Sequence, residues 1–197
     1  MVGKQNVLKN SSFGSTLEQK RLAAVFIDFE NIYYSLTNTY RMTYPEANEA
    51  SVSLIAKAFD GLREKVGEFK IRQAFADWSH LQEPKKELQL KGIRIVDVLA
   101  TQYKNSTDIE LSLAAQEVGL TRKDINTIVI FAGDRDYMLI VNRIREMGKD
   151  LYIVGMKGTL SGDLKKLVGE ANYSYLDIDN YSLVSERDES ERKFLEN

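Results

Sequence analysis

The sequence predicts an α/β fold, a mainly parallel central sheet with helices on both faces in three layers. Apolar runs of strand length recur along the whole chain, and they lack the polar alternation of a sheet with one wet face. Stretches with apolar residues at three-to-four spacing fall between them, so strand and helix alternate. Strands buried on both faces and joined by helices are accommodated by a parallel sheet covered on each side.

Residues 1–20, polar and rich in Ser, Asn, Lys and Gln, have little periodicity and predict a mobile N-terminal arm. Strands are expected at AAVFIDF (23–29), FKIRQAFA (69–76), IRIVDVLA (93–100), TIVIFAG (127–133), DLYIVGM (150–156) and YSYLDI (173–178). Helical spacing covers SVSLIAKAFDGLREKV (51–66), PKKELQLKG (84–92), TDIELSLAAQEVG (107–119) and DYMLIVNRIREMGK (136–149), and glycine closes or follows three of these. One domain is therefore expected over residues 21–180. The charged stretch from 181 to 197 reads as an appended helix or a solvated tail.

Composition narrows the chemistry. With no cysteine there is no disulfide, thiolate metal site or cysteine nucleophile, and the single histidine, His80, argues against a His-based triad or a multi-histidine zinc site. The remaining ligand chemistry is oxygen. Lys and Arg total 27 against 29 for Asp and Glu, a formal net charge of -2, so a polyanion must be held locally and not by the field of the whole chain. No run of about 18 apolar residues occurs, and a cytoplasmic protein without signal peptide or membrane span is the expectation.

In an open parallel sheet, ligands bind beyond the carboxyl ends of the strands. Asp28, Asp77 and Asp134 end apolar runs there, Asp136 opens the helix after Asp134, and Asp108 opens the helix that follows the third strand. Carboxylates gathered at one edge repel one another unless a divalent cation neutralises them, and hard oxygen donors suit Mg²⁺ or Mn²⁺. Singly, the helix-start acids have a plainer reading. Asp136 fits an N-cap, and Asp108 follows Thr107, which with Glu110 forms a Thr-x-x-Glu capping box. Asp28 and Asp134 resist it, because each ends a nearly pure apolar strand where an unpaired charge is costly.

The segments VFIDFENIY (25–33), AFADWS (74–79), KNSTDIELSLAAQE (104–117) and FAGDRDYMLIVNRIREMGKDLYIVG (131–155) resemble the NYN domain. That family is a branch of the PIN-like and FLAP-like nuclease superfamily and includes the bacterial LabA-like proteins. The resemblance implies a PIN-like, Rossmannoid sandwich and a metal-dependent nuclease, a ribonuclease leaving 5′-phosphate and 3′-hydroxyl ends. Asp28, Asp108, Asp134 and Asp136 would be both its catalytic residues and its metal ligands, and Asn31 matches the polar residue one turn beyond the first aspartate. Two departures stand out. Ala114 occupies a position where similar members carry a further aspartate, and GDRDY places Arg135 between the acids where S-D-S-D-F is common.

Around these acids, Lys104 and Asn105 precede the Asp108 helix as candidates for a phosphate contact, and Arg135 is another, against a plain surface role. Asp77 borders the same edge, and Trp78, the only tryptophan, is a candidate to stack a base of single-stranded RNA, against a core-packing role. Three functions compete. The first is divalent-metal hydrolysis of RNA. The second is a catalytically weak or silent module that binds RNA or a protein partner, which Ala114 favours and the retained aspartates oppose; under either, a homo-oligomer or a protein partner is an open expectation. The third, a phosphatase of the haloacid-dehalogenase type, needs a D-x-D nucleophile motif, whereas Asp28 is followed by Phe29 and Glu30.

Overall fold

The apolar runs assemble into one sheet of seven strands. A computed structural model describes residues 21–98, 106–179 and 182–184. In chain order the strands are β1 (Leu22–Asp28), β2 (Glu68–Ala76), β3 (Arg94–Asp97), β4 (Thr127–Phe131), β5 (Asp150–Met156), β6 (Tyr173–Asp177) and β7 (Ser182–Val184), arranged β3-β2-β1-β4-β5-β6-β7. The first six are parallel, and β7 runs antiparallel to β6. β7 falls in the stretch expected as tail or helix. Asp177 accepts the N–H of Asp179 at 3.1 Å in a turn, and the backbone of 182–184 then covers the open edge of β6. The predicted arm (1–20), the rest of the charged tail (185–197) and the phosphate candidates Lys104 and Asn105 lie outside the described residues.

Among the described residues six α-helices cover the sheet: α1 (Phe29–Tyr34), α2 (Tyr44–Val66), α3 (Gln82–Leu90), α4 (Thr107–Thr121), α5 (Met138–Glu146) and α6 (Gly162–Val168). The strand residues divide by parity. Ala23, Val25 and Ile27 of β1 pack with α1, α2 and α3, while Ala24 and Phe26 pack with α4, α5 and α6, and β4 and β5 divide in the same way. That two-sided burial is why these strands read as continuous apolar runs, each fully buried Val, Ile or Phe contributing about 1.5–3 kcal/mol. α2 begins at Tyr44, not at Ser51. Glu46 accepts the Thr43 N–H at 2.8 Å and its hydroxyl at 2.7 Å, and Pro45 suits the first turn. Its other end needs glycine: Gly67 has φ 96°, and a Cβ there would stand 2.2 Å from the Arg21 carbonyl oxygen. Among the described residues no helix is long and apolar enough to cross a membrane.

Candidate active site

The chain order reverses at β1. From β1 the chain fills one side of the sheet with β2 and β3, then returns to lay β4 against the other side of β1. The connections leaving the carboxyl ends of β1 and β4 diverge, and a crevice opens between them. Asp28 is the last residue of β1, and Asp134 follows β4 at the head of a 3₁₀ turn, Arg135–Tyr137, that leads into α5. Asp28, Asp108, Asp134 and Asp136 line a single cleft of about 520 Å³ at this switch point.

Asp28 is the most buried of the four aspartates, 8% exposed. Its Oδ1 accepts the Asn31 N–H at 3.0 Å, capping α1, and its Oδ2 accepts the Tyr137 hydroxyl at 2.8 Å. Burial pushes its carboxyl up to about 6, and the Glu30 and Asp108 carboxylates add to the rise, while the Asn31 N–H and the Tyr137 hydroxyl hold it back. Burial likewise raises the Tyr137 phenol, helped by Asp28, so this hydroxyl stays a donor. Asp134 accepts the Asp136 N–H at 3.2 Å, which fixes the 3₁₀ turn and leaves both carboxylates exposed on the cleft. The caps at these helix starts fall on other residues, although Asp108 does lie in the first turn of α4. Asp136 lies inside the 3₁₀ turn headed by Asp134, and Ser106 rather than Thr107 stands at the N-cap of α4, with the Thr107 hydroxyl donating to Glu30 Oε2 at 2.8 Å.

Asn31, expected to meet substrate, is a cleft residue with a second task. Its Oδ1 accepts the Gly133 N–H at 3.0 Å, tying α1 to the segment that carries Asp134. A Cβ at Gly133 would come within 3.1 Å of the Thr159 carbonyl oxygen and 3.3 Å of Asn31 Oδ1, so a larger residue would press on the clip. Asn31→Ala leaves the buried Gly133 N–H without its acceptor, and a loss of about 1–3 kcal/mol is expected in denaturant unfolding.

Three sequence-based candidates stand elsewhere. Trp78 is fully buried, its Nε1–H bonded to the Val96 carbonyl at 2.9 Å and its ring 4.9 Å from Phe29, so neither face is open to a base. Asp77 follows β2, one strand away from the switch point, and its Oδ1 turns back to cap Ser79 N–H at 3.0 Å, a bond that holds its carboxyl below the usual range. Arg135 is exposed outside the cleft, because the 3₁₀ turn directs Asp134, Asp136 and Tyr137 inward. Ala114 also departs from expectation. It packs with the second core cluster and lines a groove over β2 and β3, so a carboxylate at 114 would not have faced the cleft.

Sequence reasoning missed Glu30, buried at 7% exposure on the cleft wall, and Tyr137. Glu30 stands as the second acid of DFEN, a first-turn position where an acid has a plain reading. Tyr137 was visible as the aromatic residue closing GDRDY.

The family model for the NYN domain matches residues 22–179, and the chain belongs to that family. NYN domains form part of the PIN-like nuclease superfamily and are generally nucleases. A crystal structure of a protein of unknown function from Vibrio parahaemolyticus is similar at a TM-score of 0.62 and 19% identity, covering 85% of this chain and 98% of that one, a likeness of fold alone. No curated protein matches the chain.

The fit of a divalent ion rests on the donor set. Among the described residues no three carboxylates or histidines stand close enough to make a ready-formed cage. The cleft donors are nevertheless carboxylates and neutral oxygens, and Mg²⁺ commonly keeps several waters and takes only one or two carboxylates directly. The residues suit a hydrated hard cation held in part through water.

Proposed function

We propose that this protein is a metal-dependent ribonuclease that hydrolyses phosphodiester bonds of single-stranded RNA. The observation that carries the reading is the meeting of Asp28, Asp108, Asp134 and Asp136 in one cleft at the switch point of an NYN domain. A protein that only bound polyanions would gain nothing from clustering negative charge where the substrate must lie. The family's use of RNA and of divalent ions supports this substrate class and cofactor, and the oxygen donors of the cleft suit Mg²⁺ or Mn²⁺.

Asp28, Asp108, Asp134 and Asp136 are the residues that would hold the ion. When bound, it neutralises the phosphoryl oxygens and lowers the pKa of a water. The chain's own part is preorganisation. Asp28 is fixed by the Asn31 N–H and the Tyr137 hydroxyl, and Asn31 locks the Asp134 segment to α1. Asp136, exposed on the cleft, is the carboxylate we assign to orient and take a proton from the attacking water. The Glu30 bond to Thr107 holds the start of α4, and with it Asp108, against α1.

The test is cleavage of a labelled single-stranded RNA with Mg²⁺ or Mn²⁺, with EDTA as control, beside Asp134→Asn. Cleavage that EDTA stops and that Asp134→Asn lowers at least about a hundredfold is the expected result, since partners merely adjacent to a metal site already cost 10–100-fold. RNA bound but left intact under every metal condition would replace this reading with that of a silent binding module.

A further inference from the structure

The aromatic side chains on one face of the sheet form a run that starts in the core and surfaces at the cleft. Trp78 lies 4.9 Å from Phe29, Phe29 lies 5.9 Å from Tyr33, and Tyr33 meets Tyr34 edge-on at 5.8 Å. The first three are buried, whereas Tyr34 is 48% exposed and lines the acidic cleft. Behind it α1 widens into a π-helical turn, Ser35–Thr39, an irregularity frequent at functional sites. That turn is held firmly. The Ser35 hydroxyl bonds the Asn31 carbonyl at 2.6 Å, and the Tyr40 hydroxyl donates to the Lys157 carbonyl. Asn38 and Thr39, exposed on the turn, continue the cleft wall beside Tyr34.

This wall differs from the rest of the cleft in carrying no formal charge. Opposite a cluster of carboxylates, a polyanion gains least from the site's own field and most from contacts that do not depend on charge. An aromatic face is such a contact, because every base has a π-face and stacking tolerates sequence. We propose that Tyr34 is the platform on which an unpaired base of the RNA stacks next to the scissile phosphate, with Asn38 and Thr39 offering hydrogen bonds to its sugar or base edge. The proposal rests on reading the cleft as the site of phosphodiester hydrolysis, and it adds a reason for single-strand preference: in a duplex the bases remain stacked on one another and are unavailable to Tyr34.

The experiment is fluorescence polarisation of a short labelled RNA with Ca²⁺ in place of the catalytic ion, comparing the unmodified protein with Tyr34→Phe and Tyr34→Ala. Tyr34→Ala is expected to weaken single-strand binding about tenfold, with Tyr34→Phe within about twofold of the unmodified protein. A single abasic site walked along the same RNA supplies the readout that a general structural effect would not move. At one position it should weaken binding to the unmodified protein about tenfold and to Tyr34→Ala hardly at all. Equal binding by Tyr34→Ala and the unmodified protein, or an abasic penalty that persists in Tyr34→Ala, overturns the stacking role alone. RNA binding by none of the three proteins overturns it together with the nuclease reading.

Discussion

Trp78→Ala is expected to lower the stability of the fold by about 3–5 kcal/mol and to leave RNA affinity, measured on protein still folded, unchanged. The ring is fully buried and touches Phe29, and its N–H is the partner of the Val96 carbonyl. Truncation therefore removes the transfer energy of an indole, opens a cavity between α1 and the β2–α3 connection, and strands a carbonyl at the sheet. In a chain of this size the melting temperature should fall by roughly 10 °C. Trp78→Phe, which keeps most of the volume but not the N–H, should lose much less. Urea titrations of both variants beside RNA binding in the folded range decide the matter. Intact stability with weakened RNA binding would mean that the indole faces ligand after all.

Trp78 drew a stacking reading beside the core-packing one for a physical reason. AFADWS shows an aromatic residue directly after a strand-end aspartate, and adjacency in sequence says nothing about direction once a turn intervenes. Here the Asp77 side chain caps a 3₁₀ turn, Trp78–His80, and that turn folds the indole back under α1. The base-stacking chemistry expected of Trp78 is carried, in our proposal, by Tyr34, at the exposed end of the same aromatic run. Asp28 and Asp134 were legible because a charge at the end of an apolar strand in a parallel sheet has few plain explanations. Glu30 was not, since an acid in the first turn of a helix is what the macrodipole favours anyway. The π-helical turn at 35–39 has no periodic signal of its own, and α6, seven residues long, is too short for one to develop. The start of α2 was legible in retrospect: Thr43-x-x-Glu46 with Pro45 between them is a capping signature lying ahead of the apolar spacing.

Asp28→Asn is the variant in which stability and activity are expected to move in opposite directions. The Asp28 carboxyl rises from 3.8 to about 6 on folding, chiefly because it is buried. The folded chain thus holds this proton more tightly than the unfolded chain does. Its contribution to stability is fully present below about pH 4, declines as pH rises, and is lost beyond about pH 6, where ionised Asp28 costs about 3 kcal/mol relative to an exposed aspartate. Asparagine removes that cost. It still offers an oxygen to the Asn31 N–H, and its amide can donate to the Tyr137 oxygen, so packing survives and the contact with Tyr137 is kept with its direction reversed. At about pH 8 without metal, Asp28→Asn should unfold about 1–3 kcal/mol later than the unmodified protein, and the gap should close towards about pH 4. Cleavage should fall at least about a hundredfold. Saturating Mg²⁺ or Mn²⁺ should then reverse the order of melting, since an ion at a hundred times its dissociation constant adds about 2.7 kcal/mol to the protein that binds it and nothing to one that does not. Melting curves across pH with and without the ion separate the two effects. If Asp28→Asn is the less stable protein at about pH 8 in EDTA, the ionised carboxylate is already compensated in the fold, and the charge waiting for a cation is not at Asp28.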